Sequence, residues 1–402
     1  MKALKSFIIL GIFALSSIDA SDSLKESKIS IENSSKTLKD VPFRKNHKIK
    51  YSNDFPKKDG IRVSSWNVVV SFYDGKDKNH SWDKRKNLVF KTLDKSDSDV
   101  IMLQELSPGQ VREIANRFAK KGYSSRVFAS CPAEIKTGIK DALKIDDYFR
   151  INEKGIEESK FVGTFLYMTL FKDYLSIEDS FIFWYKENKP FTAPTTYGGK
   201  DKDGNYNDEG FGNTRSPRTV GSLLLKDKDG NYFVSSNSHA PISGGSKTRA
   251  KCFELENKIL SKYKKSKTKE IGKEVYVVSA GDRNLLDDDI EKNLVAYKNL
   301  IGKEFNDVVN SAKTFYGYKG SFIGFSYDLY KRDIVNGEIT NPKRLDVMMV
   351  SKNINTKNSG HFLPVMDEGK FKIFPNFGKV KFDRSELSSD HLGVFADLKF
   401  KK

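Results

Sequence analysis

The chain has 402 residues, of which 38% are hydrophobic and 12% aromatic, and this apolar content excludes a disordered or collagen-like chain. Its 70 Lys and Arg residues outnumber its 53 Asp and Glu residues, which gives a formal charge of +17. Because 56 of the basic residues are Lys and only 14 are Arg, this charge fits a polyanion-binding surface and a merely solubilising surface equally well.

The first twenty residues have the three parts of a secretory signal peptide. Lys2 and Lys5 form the charged start, an apolar run covers 7–15, and Ala20 is a small residue at the cleavage point. The run is shorter than the roughly 20 apolar residues that span a bilayer, and no later stretch is long enough. We predict a signal peptide over 1–20 and a secreted or periplasmic mature chain without a transmembrane segment. A retained amphipathic or anchor helix is the alternative.

Residues 21–58 are rich in Ser, Lys, Asp and Asn, which predicts a mobile lead-in, followed by one domain over 59–402. Short apolar runs then predict strands at Ile61–Val70, Val100–Leu103, Phe181–Tyr185, Val220–Leu225, Tyr232–Ser236, Val275–Ser279, Leu345–Val350 and Leu392–Leu398. Helical spacing predicts helices at Trp82–Leu93, Val111–Phe118 and Ala250–Tyr263, the last with an exposed basic end at 264–267. Asp229-Gly230 predicts a hairpin turn. The alternation indicates a layered α/β domain.

Two cysteines, Cys131 and Cys252, are present. In an exported protein they could form one disulfide, or they could be two buried free thiols. The sequence leaves both possibilities open.

Polar residues stand at the ends of several apolar runs, most of them after a predicted strand and the last pair before one. They are Asn67, Glu105, His239, Asp282 with Asn284, and Asp390 with His391. Folds of the α/β class place their ligand sites at strand ends, beside loops. Singly, each residue also fits a plain structural role, such as a helix cap, a surface charge or a structural histidine. Their combination is more informative than any one of them.

Six short motifs, taken in chain order, resemble those of the endonuclease/exonuclease/phosphatase superfamily. They are Asn67, Gln104-Glu105, His239, Gly281-Asp282-Arg283-Asn284, Arg344-Leu345-Asp346 and Ser389-Asp390-His391. The superfamily includes deoxyribonuclease I-like nucleases, abasic-site endonucleases, bacterial sphingomyelinases, inositol polyphosphate 5-phosphatases and the catalytic subunit of cytolethal distending toxins. The resemblance covers about Ile61 to Phe400 and is nearest to the secreted nucleases and the distending toxins. It implies a four-layer α/β sandwich, with two mixed sheets face to face and helices outside.

The resemblance implies metal-assisted hydrolysis of phosphoesters, with Mg²⁺ as the expected ion and Mn²⁺ or Ca²⁺ as alternatives. Glu105 and Asp390 offer the carboxylate oxygens that Mg²⁺ prefers. Asn67 could join the metal shell or contact the phosphate. The ion would neutralise charge on the phosphoryl oxygens and assist the leaving oxygen.

The other motif residues would act on the water and the phosphate. Asp282 would orient or deprotonate the attacking water, and Asn284 would donate to the developing charge. His239 and His391 would hold the phosphate or transfer protons, since His titrates near neutral pH. In the family a carboxylate braces the C-terminal His, and Asp346 matches it.

Two further roles depend on looser matches. In the family a second acid often braces the first His, and Asp179 or Glu178 is the candidate here. Arg218 resembles a phosphate-contacting arginine of the nuclease members, with a surface arginine as the alternative.

The motifs leave the substrate open between two enzymatic functions. A nuclease acting on DNA fits the basic charge, although Ser107 stands where deoxyribonuclease I-like enzymes place a groove-reading arginine. A sphingomyelinase or phosphoinositide phosphatase acting on lipid headgroups fits export and a Lys-rich surface. A non-enzymatic binding module is the third alternative, and the intact ligand set argues against it. We expect a monomer whose partner is nucleic acid or, alternatively, a phospholipid headgroup.

Overall fold

The computed structural model describes residues 49–71, 80–129, 166–186, 190–191, 211, 218–242, 244–285, 290–318, 320–324, 334–335, 338–339, 344–377 and 387–401. The helices are α1 (Trp82–Ser96), α2 (Pro108–Ala119), α3 (Gly245–Ile271), α4 (Ile290–Ile301) and α5 (Val308–Ser311). The strands are β1 (Ile49–Lys50), β2 (Ile61–Asn67), β3 (Val100–Leu106), β4 (Tyr123–Ala129), β5 (Leu166–Lys172), β6 (Ser176–Trp184), β7 (Thr219–Lys226), β8 (Tyr232–His239), β9 (Val275–Asp282), β10 (Phe305–Asp307), β11 (Thr314–Gly317), β12 (Ile334–Val335), β13 (Glu338–Ile339), β14 (Asp346–Ser351), β15 (Ile354–Phe362), β16 (Val365–Asp367), β17 (Lys370–Lys372) and β18 (Gly393–Phe400).

Two mixed sheets form the centre of the molecule. The eight-stranded sheet has the order β1-β11-β15-β18-β2-β3-β5-β4, and the six-stranded sheet has the order β10-β14-β9-β8-β7-β6. The pairs β2–β3, β8–β9, β1–β11 and β11–β15 are parallel, and the remaining neighbours in both sheets are antiparallel. β12–β13 and β16–β17 are separate two-stranded pairs.

The side-chain alternation along the strands explains the layers. On β9, Tyr276, Val278 and Ala280 join the core between the sheets, whereas Val275 and Val277 join a second core under α3 and α4. The first core also takes apolar side chains of α1 and α2, which cover the eight-stranded sheet. The fold class predicted from the resemblance, a four-layer α/β sandwich, is therefore confirmed.

The eight predicted strands and three predicted helices are confirmed, with shifts at their ends. The predicted hairpin turn is also confirmed, because Asp227 accepts hydrogen bonds from the main-chain N–H groups of Asp229 and Asn231 between β7 and β8. The predicted basic stretch at 264–267 does not end the helix, since α3 continues to Ile271, but Lys265 and Ser266 in it are exposed as predicted. Lys is a good helix former, and the helix ends only at Gly272, which has a left-handed conformation with φ of 72°.

Several predictions for the N-terminal region and the cysteines fall partly outside this description. The predicted signal peptide, Cys131 and the lead-in before residue 49 lie outside the described residues, and Cys252 is a buried free thiol. Within the predicted lead-in, β1 pairs with β11, and Ser52 exchanges main-chain hydrogen bonds with Phe374 at 3.1 and 2.9 Å. None of the helices in the described ranges has both the length and the apolarity needed to cross a bilayer.

Candidate active site

Strand register brings three of the predicted residues side by side. On the six-stranded sheet, Asp282 at the end of β9 lies opposite His239 at the end of β8 and opposite Asp346 at the start of β14. Gly281 makes the close approach possible, because a Cβ atom there would lie 1.8 Å from the carbonyl oxygen of Ser238. All three polar side chains are buried.

Two histidines converge on the Asp282 carboxylate. Its Oδ2 lies 3.2 Å from Nε2 of His239 and 3.6 Å from Nε2 of His391. Nδ1 of His391 lies 2.9 Å from Oδ2 of Asp346, which orients the ring with Nε2 toward Asp282. The ring of Phe322 packs edge-on against that of His391, with the centroids 4.9 Å apart.

Two amides complete the surroundings of Asp282. Nδ2 of Asn67 donates to Oδ2 of Asp282 at 3.1 Å, while its Oδ1 accepts from the N–H of Val69. Asn284 donates through its main-chain N–H to Oδ1 of Asp282 at 2.9 Å and through Nδ2 to the carbonyl of Ala240. Asn67 thus binds Asp282 through its amide nitrogen and the main chain through its amide oxygen.

Glu105 and Asp390 provide negative charge on the other side of Asp282. Oε1 of Glu105 lies 3.8 Å from Nε2 of His239, and the Glu105 side chain is 18% exposed, so it can be reached by an ion. Glu105, His239 and Asp282 each offer a ligand atom within 4.8 Å of the others. Burial raises the pKa of Glu105 to about 7, and the charges of Asp390 and Asp282 contribute to this rise. Carboxylates crowded in this way fit a divalent cation, which would neutralise them.

The predicted residue Arg218 also acts on this site. Its positive charge opposes the rise in the pKa of Glu105 and contributes to the lowering of the pKa of His239. Burial contributes more than Arg218 to the pKa of His239, which is lowered to about 3, so this ring is neutral at neutral pH. A cationic side chain at this position suits contact with a phosphate.

The pKa shifts of Asp282 and His391 leave one ionised carboxylate and one charged imidazole at neutral pH. Burial raises the pKa of Asp282, but His239, His391, Asn284 and Asn67 outweigh it, and the net shift is downward. Burial lowers the pKa of His391, but Asp346 and Asp282 outweigh it and raise the pKa well above its usual value. Asp282 is thus an anion at neutral pH, and His391 is a cation.

The raised pKa of Glu105 predicts a pH-dependent stability. A carboxyl whose pKa rises from 4.5 to about 7 on folding holds a proton that the unfolded chain has lost, so its ionisation destabilises the fold as pH rises through that interval. In the presence of a chelator, the unfolding free energy of wild type relative to that of Glu105→Gln should fall by on the order of 3 kcal/mol between pH 5 and pH 8. The difference in Tm between the two proteins measures this change. Mg²⁺ should restore the lost stability at pH 8. A pH-independent difference in Tm between the two proteins would contradict this assignment.

A buried arginine outside the predicted set ties two site segments together. Arg85 of α1, 3% exposed, donates to the carbonyls of Val68 and Val69 after β2, and to that of Ser388 at 3.1 Å. Val69 is β-branched and has a left-handed φ of 59°, a conformation that needs support from its surroundings. Arg85 thereby supports the Val69 N–H that orients Asn67.

Replacing Arg85 by Lys should lower kcat by about 10- to 100-fold with little change in KM, because a compact ammonium cannot reproduce the fork of three nitrogens through which Arg85 binds main-chain carbonyls, and misplacement by about 1 Å has effects of this size. Arg62 provides the matched control. It is equally buried but contacts Asp397 and the carbonyls of Ser96 and Pro56, at the start of β2. Arg62→Lys should lower Tm without lowering kcat per folded molecule. Equal kcat losses in the two variants would show that Arg85 acts only through stability.

A buried polar network lies beneath Asp282. Arg283 points away from the site, and its Nη1 lies 2.7 Å from Oε2 of Glu256 on α3, with both side chains fully buried. Arg283 also donates to Tyr185 and Ser279, and both hydroxyls donate to Glu256. Such buried networks favour one arrangement of the backbone, here that of the segment carrying Asp282 and Asn284.

Some of these supporting residues carried a readable signal in the sequence. Glu256 lies between Cys252-Phe253 and Ile259-Leu260 on the apolar face of the predicted helix, so a buried partner could have been expected for it. Arg85 gave no such signal, because its partners are main-chain groups far away in the chain.

The predicted acid partner of His239 is wrong for both candidates. Asp179 accepts from the hydroxyl of Tyr263 and pairs with Lys267, and Glu178 accepts from Ser176. Both lie on β6. Asp179 pairs in register with Leu224 of β7, which places the two acids toward the end of the sheet away from His239. The ring of Tyr167 packs edge-on against His239 at 6.4 Å instead.

Ser107 has a structural role that explains why an arginine is absent there. It is the N-cap of α2, and it forms a capping box with Gln110. Gln110 also binds the segment after β2, through the Ser71 N–H and the Val69 carbonyl. Position 107 therefore holds the β3–α2 corner against the Asn67 segment.

The chain is similar in sequence to a curated protein and similar in structure to proteins of one fold. No protein-family model matches the chain. Among curated proteins it is similar to the uncharacterized protein R895 of Acanthamoeba polyphaga mimivirus, with 27% identity over 303 residues, covering 72% of this chain and 39% of that protein. The match thus spans about two fifths of the length of that relative.

Solved structures of one superfamily share the architecture. An endonuclease/exonuclease/phosphatase from Bacteroides vulgatus matches with a TM-score of 0.57 and 17% identity, over 86% of this chain and 100% of that chain. A family member from Bacteroides thetaiotaomicron matches with 0.57 and 16%, over 88% and 97%. A mannosyl-6-phosphatase from the same species matches with 0.54 and 17%, over 85% and 100%. The chain has the endonuclease/exonuclease/phosphatase fold, as its motifs implied.

Proposed function

We propose that the chain is a secreted, Mg²⁺-dependent phosphodiesterase that hydrolyses nucleic acid, with DNA as the leading candidate substrate. The observation that carries this proposal is the convergence of His239, His391 and Asn67 on the Asp282 carboxylate, beside Glu105. An ionised base, a charged imidazole and crowded carboxylates within one small site are the groups that hydrolysis of a phosphoester requires.

Asp282 acts as the base toward the attacking water. Its lowered pKa keeps it ionised, and the Asn67 and Asn284 donors fix its orientation. As the water oxygen bonds to phosphorus, the water proton moves to Asp282 and the bond from phosphorus to the leaving oxygen breaks. The neutral ring of His239 is held next to Asp282 and presents Nε2 toward the same space.

His391 serves the phosphate and the leaving oxygen. Asp346 keeps the imidazole charged, so Nε2 donates to a phosphoryl oxygen and can protonate the leaving oxygen. Glu105 and Asp390 would hold a divalent cation, which would neutralise charge on the phosphoryl and leaving oxygens. Arg218 adds a fixed positive charge on the side of Glu105 and His239.

The formal charge of +17 supports a polyanionic substrate, the class to which nucleic acid, our first candidate, belongs. A lipid headgroup is the second candidate, because Ile242, in the loop after His239, is an apolar side chain that is 48% exposed beside the site. Both substrates present a phosphodiester to the same residues.

The purified mature protein should be incubated with Mg²⁺ and, separately, with plasmid, RNA, sphingomyelin, a phosphoinositide and mannose 6-phosphate. We expect cleavage of plasmid, abolished by EDTA. Intact plasmid together with release of a lipid headgroup would reverse the order of the two candidates. Release of phosphate from mannose 6-phosphate alone would overturn both.

A further inference from the structure

The outer face of α3 carries six exposed lysines, here termed the lysine row: Lys247, Lys251, Lys258, Lys262, Lys265 and Lys269. At about 100° and 1.5 Å per residue, all six fall within an arc of about 60° and span about 33 Å. No acidic residue of α3 falls within this arc, and the exposed Glu254 lies about 20° outside it. The row is therefore a nearly continuous line of positive charge.

The lysine row differs from its surroundings in having few counter-charges. Among the described residues, Lys265 is the member with an ion-pair partner, Glu304 at 3.4 Å. Lysines on the flank of the same helix are paired at 2.9 Å, Lys264 with Glu274 and Lys267 with Asp179.

The helices over the other sheet show the ordinary arrangement. Four ion pairs lie on and beside α1 and α2, Lys86–Asp83, Lys86–Glu113, Arg117–Asp94 and Lys121–Asp94, although the exposed Lys84, Lys91 and Lys120 form none within the described ranges. A solubilising surface mixes both signs in this way. The lysine row does not.

The row begins at the edge of the active site. α3 starts six residues after His239, and the connecting loop is held by two contacts: Nδ2 of Asn284 donates to the Ala240 carbonyl, and Nη1 of Arg249 donates to the Ile242 carbonyl. A polymer with one phosphate at Asp282 could therefore continue past Lys247 along the helix.

We propose that the lysine row is a binding track for the sugar–phosphate backbone of the nucleic acid that is cleaved at the Asp282 site. The inference rests on the proposed function and extends it to substrate length. At about 3.4 Å per base pair along the duplex axis, the row spans about ten base pairs, roughly one turn, and meets phosphates of either strand where they face α3. Lysines act there as point charges on phosphates, so the track binds without sequence preference.

The surface of α3 fits a polymer better than a membrane. Helices that bind a bilayer surface insert an apolar face into it. The apolar face of α3, with Cys252, Phe253, Ile259 and Leu260, is buried in the second core. Among the described residues no large exposed apolar side chain lies on α3 itself; Ile242 lies in the loop just before it.

The test compares two quadruple variants of the full mature chain. K247Q/K251Q/K258Q/K262Q removes four charges from the row, and Gln preserves helix propensity. K57Q/K120Q/K313Q/K370Q removes four exposed lysines outside α3 and is the control for net charge. Binding to a labelled 24-base-pair duplex is measured in EDTA over a series of salt concentrations, and hydrolysis of the duplex and of a dinucleotide is measured with Mg²⁺.

The row variant should lower the slope of log Kd against log salt by about 4, one for each phosphate that a lysine no longer neutralises. Its KM for the duplex should rise about tenfold or more, with hydrolysis of the dinucleotide unchanged. The control variant should show less than a third of either effect. Equal effects in the two variants, or a larger reduction of binding to anionic vesicles than to duplex, would overturn the track. Failure of wild type to cleave both the duplex and the dinucleotide with Mg²⁺ would overturn the proposed function instead, while the EDTA binding series still tests the track.

Discussion

Replacing Asp282 by Asn is expected to lower kcat for phosphodiester hydrolysis by at least about 10³-fold, since a general base and the charge that organises the site are removed together. The change is isosteric, and Asn keeps an oxygen for the N–H of Asn284. It removes the anion that His239 and His391 approach at 3.2 and 3.6 Å. The measurement is single-turnover cleavage of a labelled duplex with saturating Mg²⁺.

Asp227→Asn is the matched control for this substitution. Asp227 is also a buried carboxylate with several hydrogen bonds, but it lies in the β7–β8 turn, at the opposite end of β8 from His239. Its replacement should leave kcat within about twofold while lowering Tm, because turn hydrogen bonds contribute to stability alone. Retention of more than a tenth of wild-type kcat by the Asp282→Asn protein would remove Asp282 from the chemistry.

Replacing Glu105 by Gln is expected to weaken Mg²⁺ binding by at least about 10- to 100-fold, the range seen for outer-shell partners alone. Activity at low Mg²⁺ should fall in parallel. The same change should raise Tm in EDTA at pH 8, because it removes a carboxylate whose burial, with Asp390 and Asp282 nearby, raises its pKa to about 7. Isothermal titration calorimetry with Mg²⁺ gives the affinity directly.

The Glu105→Gln test is specific because it expects two effects together, weaker Mg²⁺ binding and a higher Tm in EDTA at pH 8. Glu113→Gln on α2 removes an ordinary surface carboxylate, which is 43% exposed and 3.3 Å from Lys86, and should change neither quantity. Unchanged Mg²⁺ affinity in the Glu105→Gln protein would exclude Glu105 as a ligand. Lower stability in EDTA at pH 8 would contradict the crowding of carboxylates at this site.

Much of the site could be predicted because its residues stand at strand ends. β8 and β9 are buried runs that end in His239 and Asp282, and parallel pairing places such ends together. The motif order then supplied the partners on the other sheet, Asn67 and Glu105. Local pattern and neighbour rules were sufficient for this part.

What the sequence could not predict depends on contacts distant in the chain. β15 carries a polar stretch with no apolar alternation over residues 355–359, and it is a strand because β11 and β18 pair with it on both sides. The role of Arg85 depends on its contacts with carbonyls of two segments, the one after β2 and the one before β18, and its own position in the sequence does not indicate these contacts. Asp179 was predicted from its position in the chain, but the register of β6 puts it at the far end of the sheet.

The most direct test of the central claim is hydrolysis of a labelled oligonucleotide in H₂¹⁸O, followed by mass spectrometry of the products. With Mg²⁺ the wild-type protein should shorten the oligonucleotide and place one ¹⁸O on the new phosphate, because water attacks phosphorus. EDTA or Asp282→Asn should prevent this. An oligonucleotide that stays intact with Mg²⁺, or one that is cleaved equally well by the Asp282→Asn protein, would contradict the account.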